Sequence, residues 1–424
     1  MRCLDGLRAA SCLAIMLFHC WQGMWQLLLP FEVTGPLTRG HWFVRLATLA
    51  GPLGVEFFLV TTGMLATFQL VPQLEGAGTR RASPAGVVLR YWRRRAARIL
   101  PAYAAANLLV LLALAPAAGL PLEQAVARAY NYGQCPGGLW RNALFITNQD
   151  PLKGCALHLW SLAVQVQFYV LFPVLLCALR PRAPGFRTRL ATAIAALFAA
   201  GVAWRLRLAF GSPALHVPYG DSMRQPSEWA AFVSLASAAY FPTGARLPAL
   251  ALGAALGLAL RSPAVISFLL RRRALLAAAS LGLQAAFAHT ALAWAPYALP
   301  GEAAWRPATA RLYAALLYWG GPLPSGLVAV TLLALLLRTD PLHAALASVL
   351  GSRAFKHASD LSYSLYLLHE QARLWALQLL VLAGALPALL AAAPVRGLLA
   401  LWALTLGAAL PCAQLLYTLV ERRF

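Results

Sequence analysis

The sequence has 424 residues, of which 61% are hydrophobic and only 11% are charged, whereas a soluble globular protein usually carries about 25% charged residues. This composition excludes an ordinary soluble enzyme and predicts a protein embedded in lipid. The formal net charge of +22 does not indicate a partner nucleic acid, because the basic residues lie in short loops between apolar segments.

Ten apolar segments are long enough to cross a bilayer, which takes about 20 residues in helical form. We therefore predict an all-α fold, a polytopic membrane helix bundle of about ten transmembrane helices in a single domain over residues 1–424. In chain order the predicted spans are 7–29, 48–70, 97–116, 160–179, 190–210, 240–260, 274–297, 312–337, 361–383 and 396–419.

Arginine is concentrated in alternate loops between these spans. The loops at 71–96, 180–189, 261–273 and 338–356 carry most of it, and the loops between them are poorer in charge. Because cytoplasmic loops are enriched in Lys and Arg, we predict that these four loops and both termini are cytoplasmic. The protein is then a multi-pass protein of the plasma membrane or an endomembrane.

Two of the cysteines share the polar segment 117–158 between the third and fourth spans. This segment is predicted to be extracytoplasmic, where the environment is oxidising, so we expect Cys135 and Cys155 to form a disulfide. The spacing of Cys and His matches no metal-binding motif. We therefore predict no metal and no bound cofactor.

The first span carries two ionisable residues, and such residues are candidates for function because they are costly in lipid. His19 lies near the middle of the span and Arg8 at its cytoplasmic end. The two are about three helical turns apart and lie on nearly one face. A lone histidine is often a satisfied packing residue, but an arginine in phase with it favours a functional site.

Further ionisable residues lie in the second and ninth spans. Glu56 is either a functional carboxylate or half of a structural ion pair. His369 and Glu370 lie at a depth similar to that of His19, judged from the helical rise. Two histidines and a carboxylate at one depth predict a site that handles protons.

Four arginines, Arg93, Arg94, Arg95 and Arg98, cluster at the inner end of the third span. Two interpretations remain open for them. They either orient the helix and bind anionic headgroups, or they hold the phosphates of a cytoplasmic donor, for which arginine is well suited.

Six motifs cover nearly the whole chain. They are Leu4-Asp5-Gly6-Leu7-Arg8 with His19, Gly54 to Gly63, Arg95 to Pro101, His158 to Leu162 with Gln167-Phe168-Tyr169, Leu361 to His369, and Val420-Glu421-Arg422. In this order they resemble the acyltransferase-3 family. A further segment is similar to the branch of the nose-resistant-to-fluoxetine proteins, and it contains Cys135, Leu139-Trp140-Arg141-Asn142, Ile146-Thr147-Asn148 and Cys155.

The resemblance implies a membrane-bound O-acyltransferase. Its donor would be cytoplasmic acyl-CoA, and acetyl is the acyl group that we expect it to transfer. Its acceptor would be a hydroxyl of an extracytoplasmic, lipid or glycan partner. It implies that His19 is the base or carries the acyl group, with Arg8, Asp5 and Glu56 as further catalytic residues. The substrate-binding residues that it implies are Arg95, Arg98, Trp160, Gln167, Tyr169 and His369.

Two positions depart from the family pattern. Gln165 stands where the family usually has an acid, and Thr62 stands where it usually has a serine. Two alternatives to the enzyme therefore stay open. One is a proton-coupled small-molecule transporter, which also needs ionisable residues in the membrane but for which the sequence shows no inverted repeat. The other is a catalytically inactive, lipid-binding member of the family, as Gln165 suggests.

Overall fold

The computed structural model describes residues 1–27, 41–76, 83–114, 135–150, 155–211, 237–293, 316, 320–383 and 394–423. These residues form helices and no strand, which confirms the predicted all-α class. The α-helices are α1 (Cys3–Leu27), α2 (Trp42–Glu75), α3 (Pro84–Leu114), α4 (Cys135–Ala143), α5 (Trp160–Ala178), α6 (Phe186–Gly211), α7 (Thr243–Ala259), α8 (Pro263–Arg271), α9 (Arg273–Ala293), α10 (Pro322–Leu337), α11 (Pro341–Leu350), α12 (Arg353–Leu382) and α13 (Pro394–Leu419). Short 3-10 helices lie at Leu157–Leu159 and Glu421–Arg423.

Five helical stretches of the described residues are long and apolar enough to cross a membrane. They are Cys3–Gly23, Gly51–Glu75, Leu157–Ala178, Phe186–Gly211 and Val395–Arg423. Two pairs of helices, α7 with α8 and α10 with α11, pass the same test together but bend by 96° and 90° at a short break. The described residues thus hold five candidate spans, or up to seven if each bent pair is one span, and the predicted count of about ten is not confirmed.

The remaining predicted spans also fall on helices. Those at 97–116 and 361–383 lie in α3 and α12, which are not among the candidate spans. The span at 274–297 lies in α9, of which Arg273–Ala288 is a shorter apolar helix. Parts of some predicted spans, such as 312–315, lie outside the described residues, and the orientation of the loops stays a prediction.

The chain packs into two compact units. The first comprises Met1–Leu4, Val55–Arg95 and Ser161–Ser352. The second comprises Asp5–Gly54, Ala96–Trp160 and Arg353–Phe424.

In the first unit, α2 and α7 approach each other backbone to backbone. A Cβ on Gly63 would lie 2.1 Å from the carbonyl oxygen of Leu250, and a Cβ on Gly253 would lie 2.0 Å from that of Val60. Small residues permit such close packing between membrane helices, where dispersion contacts replace the hydrophobic effect. α7 also packs against α6 and α10, and α10 packs against α9 and α11.

In the second unit, α12 and α13 pack along each other and α1 joins them. The buried cluster that links these helices contains Cys20 and Trp21 of α1, Ala376 and Leu377 of α12, and Leu398 and Leu401 of α13. Close packing in this cluster fixes α1 against α12. It thereby brings the histidines of the two helices into contact.

The polar segment after α3 is held in place by the buried side chain of Asn142. Its Nδ2 donates to Oδ1 of Asn107 at 2.8 Å and to the backbone carbonyl oxygen of Cys155 at 2.7 Å. The backbone carbonyl of Asn142 accepts from the Tyr103 hydroxyl at 3.1 Å. Cys155 is disulfide-bonded. The side chain of Cys135, the first residue of α4, lies outside the described residues, so the pairing of these two cysteines stays a prediction.

Candidate active site

His19 of α1 contacts His369 and Glu370 of α12 in the second unit. Nδ1 of His19 lies 2.5 Å from Oε1 of Glu370 and 2.8 Å from Nε2 of His369. The two imidazole rings stack with their centroids 5.0 Å apart. The side chains of His369 and Glu370 are each 1% exposed and that of His19 is 16% exposed, so His19 is the member of the group that a substrate can reach.

Hydrogen bonds decide which ring nitrogens carry hydrogen. Nδ1 of His369 lies 2.7 Å from the carbonyl oxygen of Tyr366, which can only accept, so this nitrogen is the donor. Nε2 of a neutral His369 is then an acceptor, as is the Glu370 carboxylate. The hydrogen that faces both acceptors therefore sits on Nδ1 of His19. Nε2 of His19 keeps its lone pair, which is the state of a general base oriented by a carboxylate.

Arg373, one helical turn after Glu370, binds the other oxygen of the carboxylate. Its Nη2 and Nε lie 2.5 Å and 3.1 Å from Oε2 of Glu370. Neither partner of this pair reaches solvent, and a buried charge is tolerated only when it is paired. The arginine therefore supplies the countercharge for Glu370 and leaves Oε1 for His19.

A third histidine, His158, packs behind His369. Their ring centroids are 5.1 Å apart in a T-shaped arrangement. Nε2 of His158 lies 3.3 Å from the carbonyl oxygen of Leu367, and the carbonyl of His158 accepts from the Tyr366 hydroxyl at 2.5 Å. In the sequence, His158 stands out only as part of a motif. In the structure it lines the site beside His369.

His19, His369 and Glu370 are also residue types that bind metal ions, and one donor atom from each lies within 4.8 Å of the others. Two of the separations, 2.5 Å and 2.8 Å, are shorter than the roughly 3.3 Å between ligand atoms on a tetrahedral ion with bonds of about 2.1 Å. Glu370 is moreover already paired with Arg373. In this geometry the three side chains contact one another directly, and an ion between them would require them to move apart.

Comparison with known proteins decides the family. The acyltransferase domain model of the acyltransferase-3 family matches residues 1–418. The chain belongs to the acyltransferase-3 family. This confirms the family resemblance seen in the motifs, and the branch of the nose-resistant-to-fluoxetine proteins is not confirmed.

Among curated proteins, the acyltransferase-3 chain is similar to O-acetyltransferase OatA of Staphylococcus aureus strain NCTC 8325 and to OatA of strain COL. Each is 29% identical over 185 residues, which are 42% of this chain and 25% of the relative. The match thus spans about a quarter of the relatives' length. No solved structure matches the chain.

The other motif residues of the second unit lie apart from His19. α1 is unbroken from Cys3 to Leu27, so Arg8 stays about 16 Å from His19 along the helix, on nearly the same face. Oδ1 of Asp5 accepts from the Ser359 hydroxyl of α12 at 3.2 Å. Arg98 is exposed on α3, and Trp160 is buried at the start of α5.

Glu56 belongs to the first unit, where it pairs with an arginine. Its Oε1 lies 2.8 Å from Nη2 of Arg246, and its Oε2 accepts from the Ser325 hydroxyl at 2.5 Å. Arg246 also lies over the ring of Tyr240, 4.5 Å from its centroid, and both charged side chains are completely buried. Of the two interpretations that the sequence left open, these contacts fit the structural ion pair.

Arg95 is held between two tyrosines of the first unit. Its guanidinium carbon lies 5.2 Å from the ring centroid of Tyr91 and 4.9 Å from that of Tyr169, and Nη2 donates to Oε1 of Gln69 at 3.2 Å. Cation–π contacts of this kind orient the planar group. Gln167 accepts from the hydroxyl of Thr243, which ties α5 to α7.

The two departures from the family pattern contact each other. The Thr62 hydroxyl donates to Oε1 of Gln165 at 3.3 Å and lies 3.4 Å from the Tyr169 hydroxyl. A neutral amide is a suitable acceptor for this hydroxyl, so the pair is satisfied without an acid. The carboxylate in contact with His19 is that of Glu370, which is a different position.

Proposed function

We propose that this chain is an O-acyltransferase that moves an acyl group from cytoplasmic acyl-CoA to a hydroxyl of an extracytoplasmic, lipid or glycan acceptor. Family membership and the names of the relatives support the reaction class, and those names favour acetyl as the group. The observation that carries the proposal is the contact of Nδ1 of His19 with Glu370, because it leaves Nε2 of His19 as a base in the membrane.

In direct transfer, Nε2 of His19 takes the proton from the acceptor hydroxyl as its oxygen attacks the thioester carbonyl. The new C–O bond forms, the C–S bond breaks, and the CoA thiolate takes the proton from His19. Glu370 stabilises the imidazolium that exists between these two proton transfers. His369 is buried behind His19, so we assign it a positioning role and not the substrate contact that the motifs implied.

A two-step route uses the same lone pair as a nucleophile. Nε2 of His19 attacks the thioester carbonyl, the C–S bond breaks and CoA leaves as a thiolate. The acceptor hydroxyl then attacks the acyl carbonyl, the C–N bond breaks, and the hydroxyl proton passes to the thiolate as the neutral imidazole is restored. Rapid denaturation at neutral pH of the enzyme mixed with labelled acyl-CoA, without acceptor, distinguishes the routes, because an acyl-imidazole survives there but hydrolyses quickly in acid. Label on the protein that is lost in His19→Ala supports the two-step route, and its absence supports direct transfer.

For the donor we propose contacts to Arg95 and Arg98, which are neighbours on one face of α3 and can bind phosphate oxygens. The arginine-rich loops support a cytoplasmic position for this end of α3 and for both termini. We also retain ten spans and the branch assignment as proposals. The burial of Asn142, which belongs to the branch segment, supports the latter.

The test is incubation of membranes containing the full chain with radiolabelled acetyl-CoA, followed by separation of lipid, glycan and protein fractions. We expect a covalently labelled acceptor with the native chain and none with His19→Ala. His357→Ala, which removes an exposed histidine of α12, is the matched control and should label normally. Label that accumulates inside vesicles without a covalent product would instead support the transporter, and equal labelling by His19→Ala would refute the mechanism.

A further inference from the structure

The short helix α8 leaves α7 at 96°. Ser262 caps its start, with Oγ accepting from the backbone N–H of Val265 at 3.4 Å, and Pro263 occupies its first turn. No residue of α8 is buried. α7 contains most of the predicted span at 240–260, and a helix at right angles to it lies along the membrane surface when α7 crosses the bilayer.

Most of the large side chains that α8 exposes are apolar. Val265, Phe268 and Leu270 are all exposed, on a helix of nine residues. A soluble protein rarely displays such a patch without a partner. A helix that lies in the membrane interface inserts these side chains among the acyl chains.

The helix α11, which follows the second sharp bend, has an outer face that fits contact with lipid. Leu342, Leu346 and Val349 point outward and are exposed, whereas His343 is buried. Nε2 of His343 lies 3.1 Å from Oγ of Ser280 on α9. An apolar outer face with a polar inner contact is the reverse of the pattern in water-soluble helices, and it fits a lipid environment.

Three consecutive arginines, Arg271 to Arg273, connect α8 to α9, and all are exposed. Within the part of the chain that the structure describes, no carboxylate pairs with any of them, and the first turn of α9 has no acidic residue. The amino terminus of α9 adds partial positive charge at the same place. The guanidinium of Arg272 lies over the ring of Phe268, 4.9 Å from its centroid, so the basic group and the apolar face are adjacent.

We propose that Arg271, Arg272 and Arg273 bind the phosphate of an anionic phospholipid headgroup, with α8 lying in the interface of that leaflet. The charge cluster provides the attraction to the headgroup and the apolar face of α8 contacts its acyl chains. A free phosphate would satisfy only the first of these contacts. This site is independent of acyl transfer, since it uses none of the residues around His19.

The test measures the melting temperature of the purified full chain in detergent as a function of added phosphatidylglycerol, phosphatidylcholine or glycerol 3-phosphate. Phosphatidylglycerol should raise the melting temperature of the native chain far more than the other two compounds. In R271Q/R272Q/R273Q its apparent affinity should fall by roughly a hundredfold, from about fivefold for each arginine near a membrane surface. The charge-matched control R353Q/R422Q/R423Q removes three exposed arginines elsewhere and should respond like the native chain.

Phe268→Gln provides a second variant that keeps every charge. It should weaken the response to phosphatidylglycerol because it removes the apolar contact beside Arg272. An unchanged response in both the triple variant and Phe268→Gln would refute the site. An equal response to glycerol 3-phosphate and to phosphatidylglycerol would refute lipid as the ligand.

Discussion

Gly23 of α1 leaves the space that the guanidinium of Arg373 occupies on α12. A Cβ on Gly23 would lie 2.0 Å from Nη1 of Arg373, and the arginine is completely buried, so it has no solvent into which it can turn. Arg373 in turn binds Glu370, and Glu370 binds His19. The missing side chain of Gly23 thus helps to set the position of His19 through Arg373 and Glu370.

We expect Gly23→Ala to lower kcat by about a hundredfold and to leave the Michaelis constant for acyl-CoA unchanged, because a displacement of about 1 Å in a catalytic group has that cost. The measurement is transfer from labelled acetyl-CoA at equal membrane abundance. Gly407→Ala on α13 is the matched control, since a Cβ there meets open space. Equal kinetics in both alanine variants would remove Arg373 from the mechanism.

Glu370→Gln keeps the shape of the side chain but gives it a donor. The amide can then donate to Nδ1 of His19, which moves the ring hydrogen to Nε2 and removes the base. We expect transfer to fall by about a thousandfold or more. The double variant E370Q/R373M, which also removes the buried charge of Arg373, should recover thermal stability but not activity. Recovery of activity in the double variant would show that the carboxylate is only structural.

The Glu56–Arg246 pair provides a test of stability and not of chemistry. Glu56→Gln leaves Arg246 as an uncompensated buried charge, and we expect it to destabilise the chain by about 3 kcal/mol. The variant E56Q/R246M should regain most of that loss, as measured by the melting temperature in detergent. If Glu56→Gln folds normally and loses transfer, then Glu56 has the catalytic role that the motif implied.

Arg98 tests the donor site. Lysine keeps the charge but cannot form the two parallel bonds of a guanidinium, so we expect Arg98→Lys to raise the apparent Michaelis constant for acyl-CoA by about tenfold. The constant for the acceptor should not change. Arg94→Lys, an exposed neighbour on α3, is the control and should be unaffected. Similar kinetics of the two lysine variants would assign these arginines to orientation of the helix.

Transfer should also survive dialysis against a strong chelator. His19 has a hydrogen bond with His369 and an ion-pair contact with Glu370, and the reaction as proposed needs no ion. The measurement compares initial rates before and after chelation, and after addition of zinc. A loss that zinc restores would contradict the geometric argument.

That His19 and His369 lie at a similar level along their helices could be predicted from the sequence, because a rise of about 1.5 Å per residue converts position in a helix into distance along its axis. Which helices pack together could not be predicted, so the ion pairs of Arg373 and Arg246 were missed, although each is a charged residue within an apolar segment. Arg373 follows Glu370 by three positions, and residues at this spacing share a helix face. The spacing was therefore a usable signal for their ion pair.

The sequence also contains a helix-start signal at each of the two sharp bends. Ser262-Pro263 and Asp340-Pro341 each place a capping side chain before a proline, which is the pattern of a helix start. A hydropathy profile does not register such a helix start, so the residues on either side of it are assigned to one continuous loop or span. The direction of the second helix depends on tertiary packing, for which a single sequence carries no local signal.

At Gly63 and Gly253 the backbones of α2 and α7 are in direct contact. With the carbonyl oxygens of Leu250 and Val60 against Gly63 and Gly253, an acyl tail could pass between these helices only by prising them apart. The two helices therefore leave no room for an acyl chain between them at these glycines. Any lateral gate for a lipid acceptor in that unit must open along some other pair of helices.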